Sequence, residues 1–251
     1  MQFSKWHALG NSYVIVEQPD AGQLTPTRVQ RLCSVETGIG SDGVLEITHR
    51  DDAHAVVTIW NPDGSTAEMS GNGVRIAARW LAAETGAAEV TIETAGRRVA
   101  ARMLNALDTD TDVGPYTVGL PESVDEIELT TASVGNPHAV VRLDDPTRDD
   151  LLRLGPLLED HPRFPDRTNV QLIRVDGRHD LTVLVWERGA GETSASGTSS
   201  VAAAAVAVER GWCDSPVTVH LRGGDLSVRL ADGSASLTGP AERIAWGTTI
   251  R

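Results

Sequence analysis

The chain carries one device twice, and this limits its possible folds more than any other feature. "WNPDGSTAEMSGNG" runs from Trp60 to Gly73, and "WERGAGETSASGTS" runs from Trp186 to Ser199. In each, a Trp closes an apolar run, a Ser-Gly pair follows ten residues after the Trp, and an Ala-rich stretch begins. The correspondence extends outward. "GNSYVIV" places Asn11 59 residues before Ser70, and "GNPHAVV" places Asn136 60 residues before Ser196. The Ala-rich stretches end at Gly86 and Gly211, each followed by strand-like alternation: "EVTIET" and "RRVAARML", then "PVTVHL" and "DLSVRL". Four landmarks in one order at nearly one spacing define a tandem structural repeat.

Each half then reads the same way locally. "AVVTIW" and "LTVLVW" are β-branched strands ending at the Trp. Ser70 and Ser196 suit the N-cap of the helix that follows, and Gly86 and Gly211 suit its C-terminal end. "TPTRVQRLCSVETG" and "DPTRDDLLRLGPLLED" are further helix candidates. The fold class is therefore α/β in the α+β sense: two similar halves, each with mixed or antiparallel strands around a central helix. Pro and Gly interrupt the pattern around Gly114–Glu122. This puts the halves at 1–117 and 118–240.

Composition removes several function classes. A net charge of −13 opposes binding to nucleic acid or to an anionic membrane, since both need a basic surface. No run of 18 apolar residues is present, and "MQFSKWHALGNSY" lacks a signal-peptide core, so a cytoplasmic location is the default expectation. Cys33 and Cys213 make neither a disulfide framework nor a metal-ligand cluster; they read as packing residues, and no metal site is expected. The partner expected is a small molecule, and the oligomeric state is left open, a homodimer included.

A helix N-terminus offers unpaired N–H groups and a partial positive charge. Two such ends at one ligand would hold a carboxylate from both sides, and "SGNG" and "SGTSS" allow close backbone approach. A side chain at each helix start would then flank the ligand on opposite faces, which suits an acid and a base on either side of one carbon.

The ordered motifs "GNSYVIVE", "GIGSDG", "NPDGSTAEMSGNGVR", "VGNPHAVV", "HPRFPDRTNVQ" and "WERGAGETSASGTS" resemble the successive signatures of the diaminopimelate epimerases. The resemblance runs from the first residues to about Ala205. It implies two pseudo-symmetric halves, each a strongly curved sheet around a central helix, with the active site between them and a last strand at about 241–251 returning to the first half. It implies an isomerase that needs no cofactor, pyridoxal phosphate included, and that converts LL- to meso-diaminopimelate for the lysine and peptidoglycan precursor pathway. Asn11, Asn61, Asn169, Glu187 and Arg188 should grip the amino and carboxylate groups of the amino-acid substrate. The N–H groups of Gly71, Asn72, Gly197 and Thr198 should hold the carboxylate at the reacting centre, with Asn136 and His138 near it.

One departure stands out. The family's two catalytic cysteines fall on Ser70 and Ser196. A thiol ionises near ~8.5 and lower still at a helix N-terminus, whereas a serine hydroxyl is several units less acidic and needs a neighbouring base. Ser12 and Tyr13 also stand where the family often has Asp-Phe. Three readings stay open: an epimerase working through Ser70 and Ser196; an isomerase, dehydratase or cyclase of the same fold driven by another base such as Glu187 or His138; and a non-catalytic amino-acid-binding relative.

Overall fold

The computed structural model describes residues 1–249. The chain divides into two compact units, residues 1–112 together with the segment from 239 onward, and residues 113–238. The change of unit falls inside a strand, Asp108–Pro115, just before the Pro/Gly-interrupted segment around Gly114–Glu122. Gly114 and Pro115 end that strand, and the next, Thr117–Val124, begins at once. A Pro is tolerated there because it sits at a strand end.

In the first unit, Glu242–Thr248 pairs antiparallel with Gln2–Ala8, which pairs antiparallel with Asn11–Glu17. Asn11–Glu17 runs parallel to Val44–Arg50, antiparallel to which lies His54–Trp60. His54–Trp60 runs parallel to Glu89–Thr94, followed by the antiparallel Arg97–Met103 and Asp108–Pro115. The second unit repeats this order and these directions. Thr117–Val124, Ile127–Ser133 and Pro137–Arg142 are successively antiparallel, and Asn169–Gly177 is parallel to the last of them. Asp180–Glu187 is antiparallel to Asn169–Gly177, Val217–Leu221 is parallel to Asp180–Glu187, and Gly224–Ala231 and Ser234–Pro240 close the order antiparallel. The C-terminal strand thus fills in the first unit the place that Thr117–Val124 fills in the second.

Five helices lie among the described residues: α1 (Gln18–Ala21), α2 (Pro26–Cys33), α3 (Gly71–Thr85), α4 (Arg148–Glu159) and α5 (Gly197–Glu209). The helix candidates "TPTRVQRLCSVETG" and "DPTRDDLLRLGPLLED" form as α2 and α4. Thr25 caps α2, and Thr147 forms a capping box with Asp150 at α4. The central helices are α3 and α5. α3 packs against Gln2–Ala8, Asn11–Glu17, His54–Trp60, Glu89–Thr94 and Arg97–Met103. Six neighbouring strands spaced at about 4.8 Å span roughly 24 Å, whereas a helix with side chains is about 10–12 Å wide. One helix can touch both ends of such a row only if the sheet curves round it. α5 stands in the same relation to the strands from Thr117–Val124 to Gly224–Ala231. This explains the Ala-rich sequence. A helix enclosed on all sides must be small and apolar all round, and Ser199 to Ala207 of α5 are all buried.

Candidate functional site

Each unit builds one half-site where the central helix begins. In the first, Gly10 takes φ 90° and Gly135 does the same at 85° in the second. This left-handed backbone favours glycine and turns the chain so that Asn11 and Asn136 stand at equivalent points. The Asn11 Oδ1 accepts from Asn72 Nδ2 at 3.3 Å, and Asn72 Oδ1 accepts from Arg75 Nη2 at 3.0 Å. Arg75 is fully buried and also donates from Nε to the Pro240 carbonyl at 3.1 Å. Burial lowers its pKa to about 10, opposed by the Asp108 charge, so it stays a cation at neutral pH. It orients Asn72 at the second position of α3.

Ser70 is the N-cap of α3, and its Oγ accepts the Gly73 N–H at 3.0 Å. The Tyr13 phenol lies 3.1 Å from the same oxygen. Ser12 bonds Asp42 Oδ2 through its N–H at 2.7 Å and its hydroxyl at 2.9 Å, which ties the start of Asn11–Glu17 to the loop before Val44. Asn61 uses its amide inside its own turn, donating to Ser65 Oγ at 2.9 Å.

The second half-site differs in its chemistry. Ser196 occupies the N-cap of α5 with extended backbone but makes no cap bond. The expectation that both serines cap is therefore met only at Ser70. The Ser196 hydroxyl instead bonds the Glu187 carboxylate. Burial raises the Glu187 pKa, and the bond to Ser196 partly offsets this.

Asn169 organises the loop beside it. Its Oδ1 accepts the Arg188 N–H at 3.0 Å, and its Nδ2 donates to the Pro137 carbonyl at 2.8 Å. Asn169 thus joins the Asn136 turn to the Glu187–Arg188 turn. The Arg188 guanidinium is exposed on its unit and donates to the Asp166 carbonyl at 2.9 Å.

His138 is 1% exposed, with Nε2 at 2.9 Å from Asn136 Oδ1. Its Nδ1 and the Gln171 Oε1 are buried without partners, while Gln171 Nε2 lies 3.0 Å from Ser199 Oγ. Turning the Gln171 amide over satisfies all three: Nε2–H donates to Nδ1, and the Ser199 hydroxyl donates to Oε1. Burial, with the nearby Arg188 charge, depresses the His138 pKa to about 3. His138 is therefore a neutral imidazole that orients Asn136, and its chemistry does not suit a base at pH 7.

The second unit thus brings together Asn136, His138, Asn169, Glu187, Arg188 and Ser196 with the α5 positions Gly197 and Thr198. The first brings together Asn11, Ser70, Gly71 and Asn72. Sequence reasoning assigned no role to Tyr13, Arg75, Gln171 or Ser199. Tyr13 was visible only as an unusual residue, and Gln171 only as the end of a motif. Both cysteines are buried, and burial raises both thiol pKa values, in keeping with packing roles. A cavity of about 640 Å³ in the first unit, lined by Arg28, Arg31 and Ile39 among others, touches none of these residues. Among the described residues no helix is long and apolar enough to cross a membrane.

Relatives give these half-sites a context. A sequence model described as diaminopimelate epimerase matches residues 3–118 and 130–244. The chain belongs to the diaminopimelate epimerase family. This is a family of isomerases. "Diaminopimelate epimerase 2" of Nostoc sp. is 38% identical, over 98% of this chain and 95% of its own. The diaminopimelate epimerase of Pseudomonas entomophila is 36% identical over 98% of both chains. In fold, the chain is similar to a predicted epimerase from Pseudomonas aeruginosa, with TM-score 0.78 and 19% identity over 100% of this chain and 99% of that one. It is also similar to a hydroxyproline epimerase from Agrobacterium vitis, with TM-score 0.71 and 17% identity over 98% and 90%. The two-half α+β architecture is thus that of the epimerase family.

Proposed function

We propose that this chain exchanges and inverts the α-proton of diaminopimelate, interconverting the LL and meso forms, with Ser70 and Ser196 in the two proton-transfer positions. The pathway served is then lysine and peptidoglycan precursor synthesis. The observation that carries the reading is the Ser196–Glu187 bond: the hydroxyl makes no cap bond and faces a carboxylate. A serine alone is too weak an acid to yield a useful base, and an adjacent carboxylate is what activates it.

In the base step, Ser196 Oγ takes the α-proton while its own proton moves to Glu187. The electron pair of the broken Cα–H bond passes into the substrate carboxylate as a dianionic enediolate. N–H groups at the starts of α3 and α5, those of Gly71, Asn72, Gly197 and Thr198, stabilise this charge. Ser70 returns a proton on the opposite face. Both serines must then meet one α-carbon, and this requirement is part of the proposal. Asn11, Asn61, Asn136, Asn169 and Arg188 are assigned to the amino and distal carboxylate groups. The location assigned is the cytoplasm, where this chemistry would be needed.

A second reading is favoured by the unlike partners of the serines, a carboxylate at Ser196 and a phenol plus a cap bond at Ser70. Such asymmetry suits one-base exchange without inversion. Incubation with LL- and with meso-diaminopimelate in deuterated water, followed by chiral separation and mass measurement, decides. Deuterium with inversion supports the epimerase, and deuterium with retained configuration supports the one-base reading. No deuterium from either isomer, with binding intact, would point to a non-catalytic relative. The double change Ser70→Cys, Ser196→Cys should raise inversion by orders of magnitude, since a thiol needs no helper base.

A further inference from the structure

We propose that Tyr13 is the positioning residue for Ser70, sharing a proton with it so that charge developing on the serine passes to a phenol. This rests on the assignment of Ser70 to α-proton transfer made above. The phenolic oxygen lies 3.1 Å from Ser70 Oγ. A serine oxygen has one proton and two lone pairs. The Gly73 N–H occupies one lone pair at 3.0 Å, and with the phenol as donor the Tyr13 O–H takes the other. The serine's own proton is what remains for delivery to carbon.

The tyrosine is held for this role. Its ring is 6% exposed and belongs to the apolar cluster around α3, with Trp6 opposite it in the strand register. Gly43 makes the space: a Cβ there would lie 2.6 Å from Tyr13 Cε1 and 2.6 Å from the Trp60 carbonyl oxygen. A buried ring in a fixed slot keeps its hydroxyl on Ser70 at little further entropic cost.

The step balances as a relay. As the Cα–H bond forms from the Ser70 proton, the Ser70 O–H bond breaks and the Tyr13 proton moves onto Ser70 Oγ. The negative charge of the carbanion ends on a phenolate. In the reverse direction the phenolate takes the serine proton while the serine takes the α-proton. A phenol ionises near ~10, several units below an aliphatic hydroxyl, and each unit is a factor of ten in the equilibrium. The repeat sharpens the point. His138 stands two residues after Asn136, as Tyr13 stands two after Asn11, but its ring is engaged by Asn136 and Gln171. Ser196 draws on Glu187 instead.

Two measurements test the coupling. The first is independent of turnover. The thiol introduced by Ser70→Cys is alkylated with iodoacetamide across pH, with Tyr13 present and with Tyr13→Phe, and followed by peptide mass so that Cys33 and Cys213 are counted separately. A hydrogen bond from the phenol should lower the thiol's apparent pKa by about one unit relative to Tyr13→Phe. Equal values would overturn the proposal. The second compares backgrounds. With the native serines, Tyr13→Phe should lower α-proton exchange on diaminopimelate by about 100-fold while the dissociation constant changes by less than about threefold. In Ser70→Cys, Ser196→Cys protein the same change should cost less than about fivefold, because a thiol ionises unaided. Equal losses in both backgrounds would mean that the hydroxyl serves packing only, and would overturn the proposal. A thiol pKa shift in a protein that exchanges no α-proton would uphold the coupling and remove the epimerase reading.

Discussion

The Trp186 indole donates from Nε1 to Glu159 Oε2 at 2.7 Å, and Glu159 Oε1 accepts the Gly189 N–H at 2.7 Å and an Arg167 N–H at 3.0 Å. One carboxylate at the end of α4 thus ties the end of a strand to the turn that carries Glu187 and Arg188. The first unit solves the same problem with different material. Trp60 Nε1 donates to Glu46 Oε2 at 2.9 Å, and Glu46 comes from the neighbouring strand. The two tryptophans are therefore anchors that set where each turn begins.

Gly155→Ala tests the anchor in the second unit. A Cβ at Gly155 would lie 2.6 Å from Trp186 Cγ and Cδ2, inside contact distance. Alanine is the better helix former, so any net loss is steric. The expected outcome is a loss of about 1–3 kcal/mol in urea unfolding. Exchange activity should fall with it, because the displaced indole carries the Glu187 turn. A gain in stability would show that Trp186 shifts at no cost.

Ser70→Ala and Ser196→Ala should separate by stability. Ser70 caps α3 through Gly73 and Ser196 makes no cap bond. Removing the Ser70 hydroxyl should cost about 1 kcal/mol of folding free energy by the usual value of an N-cap. Ser196→Ala should leave the helix end unchanged and act on Glu187 and on activity instead. Equal losses in denaturant melts would contradict the difference in capping.

The rate should depend on pH through Glu187. Its carboxyl must be ionised to receive the Ser196 proton, and burial holds its pKa above the ordinary glutamate value. kcat/KM for α-proton exchange should therefore rise with pH along an acid limb whose midpoint lies above ~4.3, the value for a free glutamate. Glu187→Gln should abolish that limb together with the activity. A limb at the ordinary glutamate value, or one that survives the substitution, would assign the base elsewhere.

Stability should depend on pH through His138. Its folded pKa is about 3, below the ~6.5 of an unfolded chain. Between these values the unfolded state binds more protons than the folded one, so stability rises with pH across that window. The contribution is complete above ~6.5 and is lost progressively as pH falls toward 3. Unfolding free energies of the native protein and of His138→Gln, compared from pH 7 to pH 4.5, should converge on acidification, since the variant lacks this titration. Parallel curves would mean that the imidazole titrates normally.

Much of the molecule was legible in the chain because its rules are local. The tandem repeat showed itself in spacing. The starts of α3 and α5 showed themselves as Ser-Gly pairs before Ala-rich runs, and those of α2 and α4 as Thr or Asp near Pro. Enclosure of α5 followed from a run such as "SVAAAAVAV", which has no polar face to offer solvent. The return of the last strand to Gln2–Ala8 was expected from the family resemblance, and the register supplies it.

What each serine does was decided only in three dimensions. By sequence Ser70 and Ser196 are the same residue in the same place, each an N-cap by propensity. Folding places Tyr13, 57 positions away in the chain, against one of them and turns Glu187 toward the other. A hydroxyl bonds the strongest partner within about 3 Å, and that partner is set by strand register and loop packing. The same holds for His138, whose side chain is read as a proton carrier in a sequence and becomes a neutral strut once burial removes the water that would solvate its charge. The sequence by itself determined the repeat and where the helices begin, because those are properties of neighbours along the chain. The tertiary structure alone decided which titratable group stands beside each serine, because that depends on residues far apart in sequence meeting within hydrogen-bond reach.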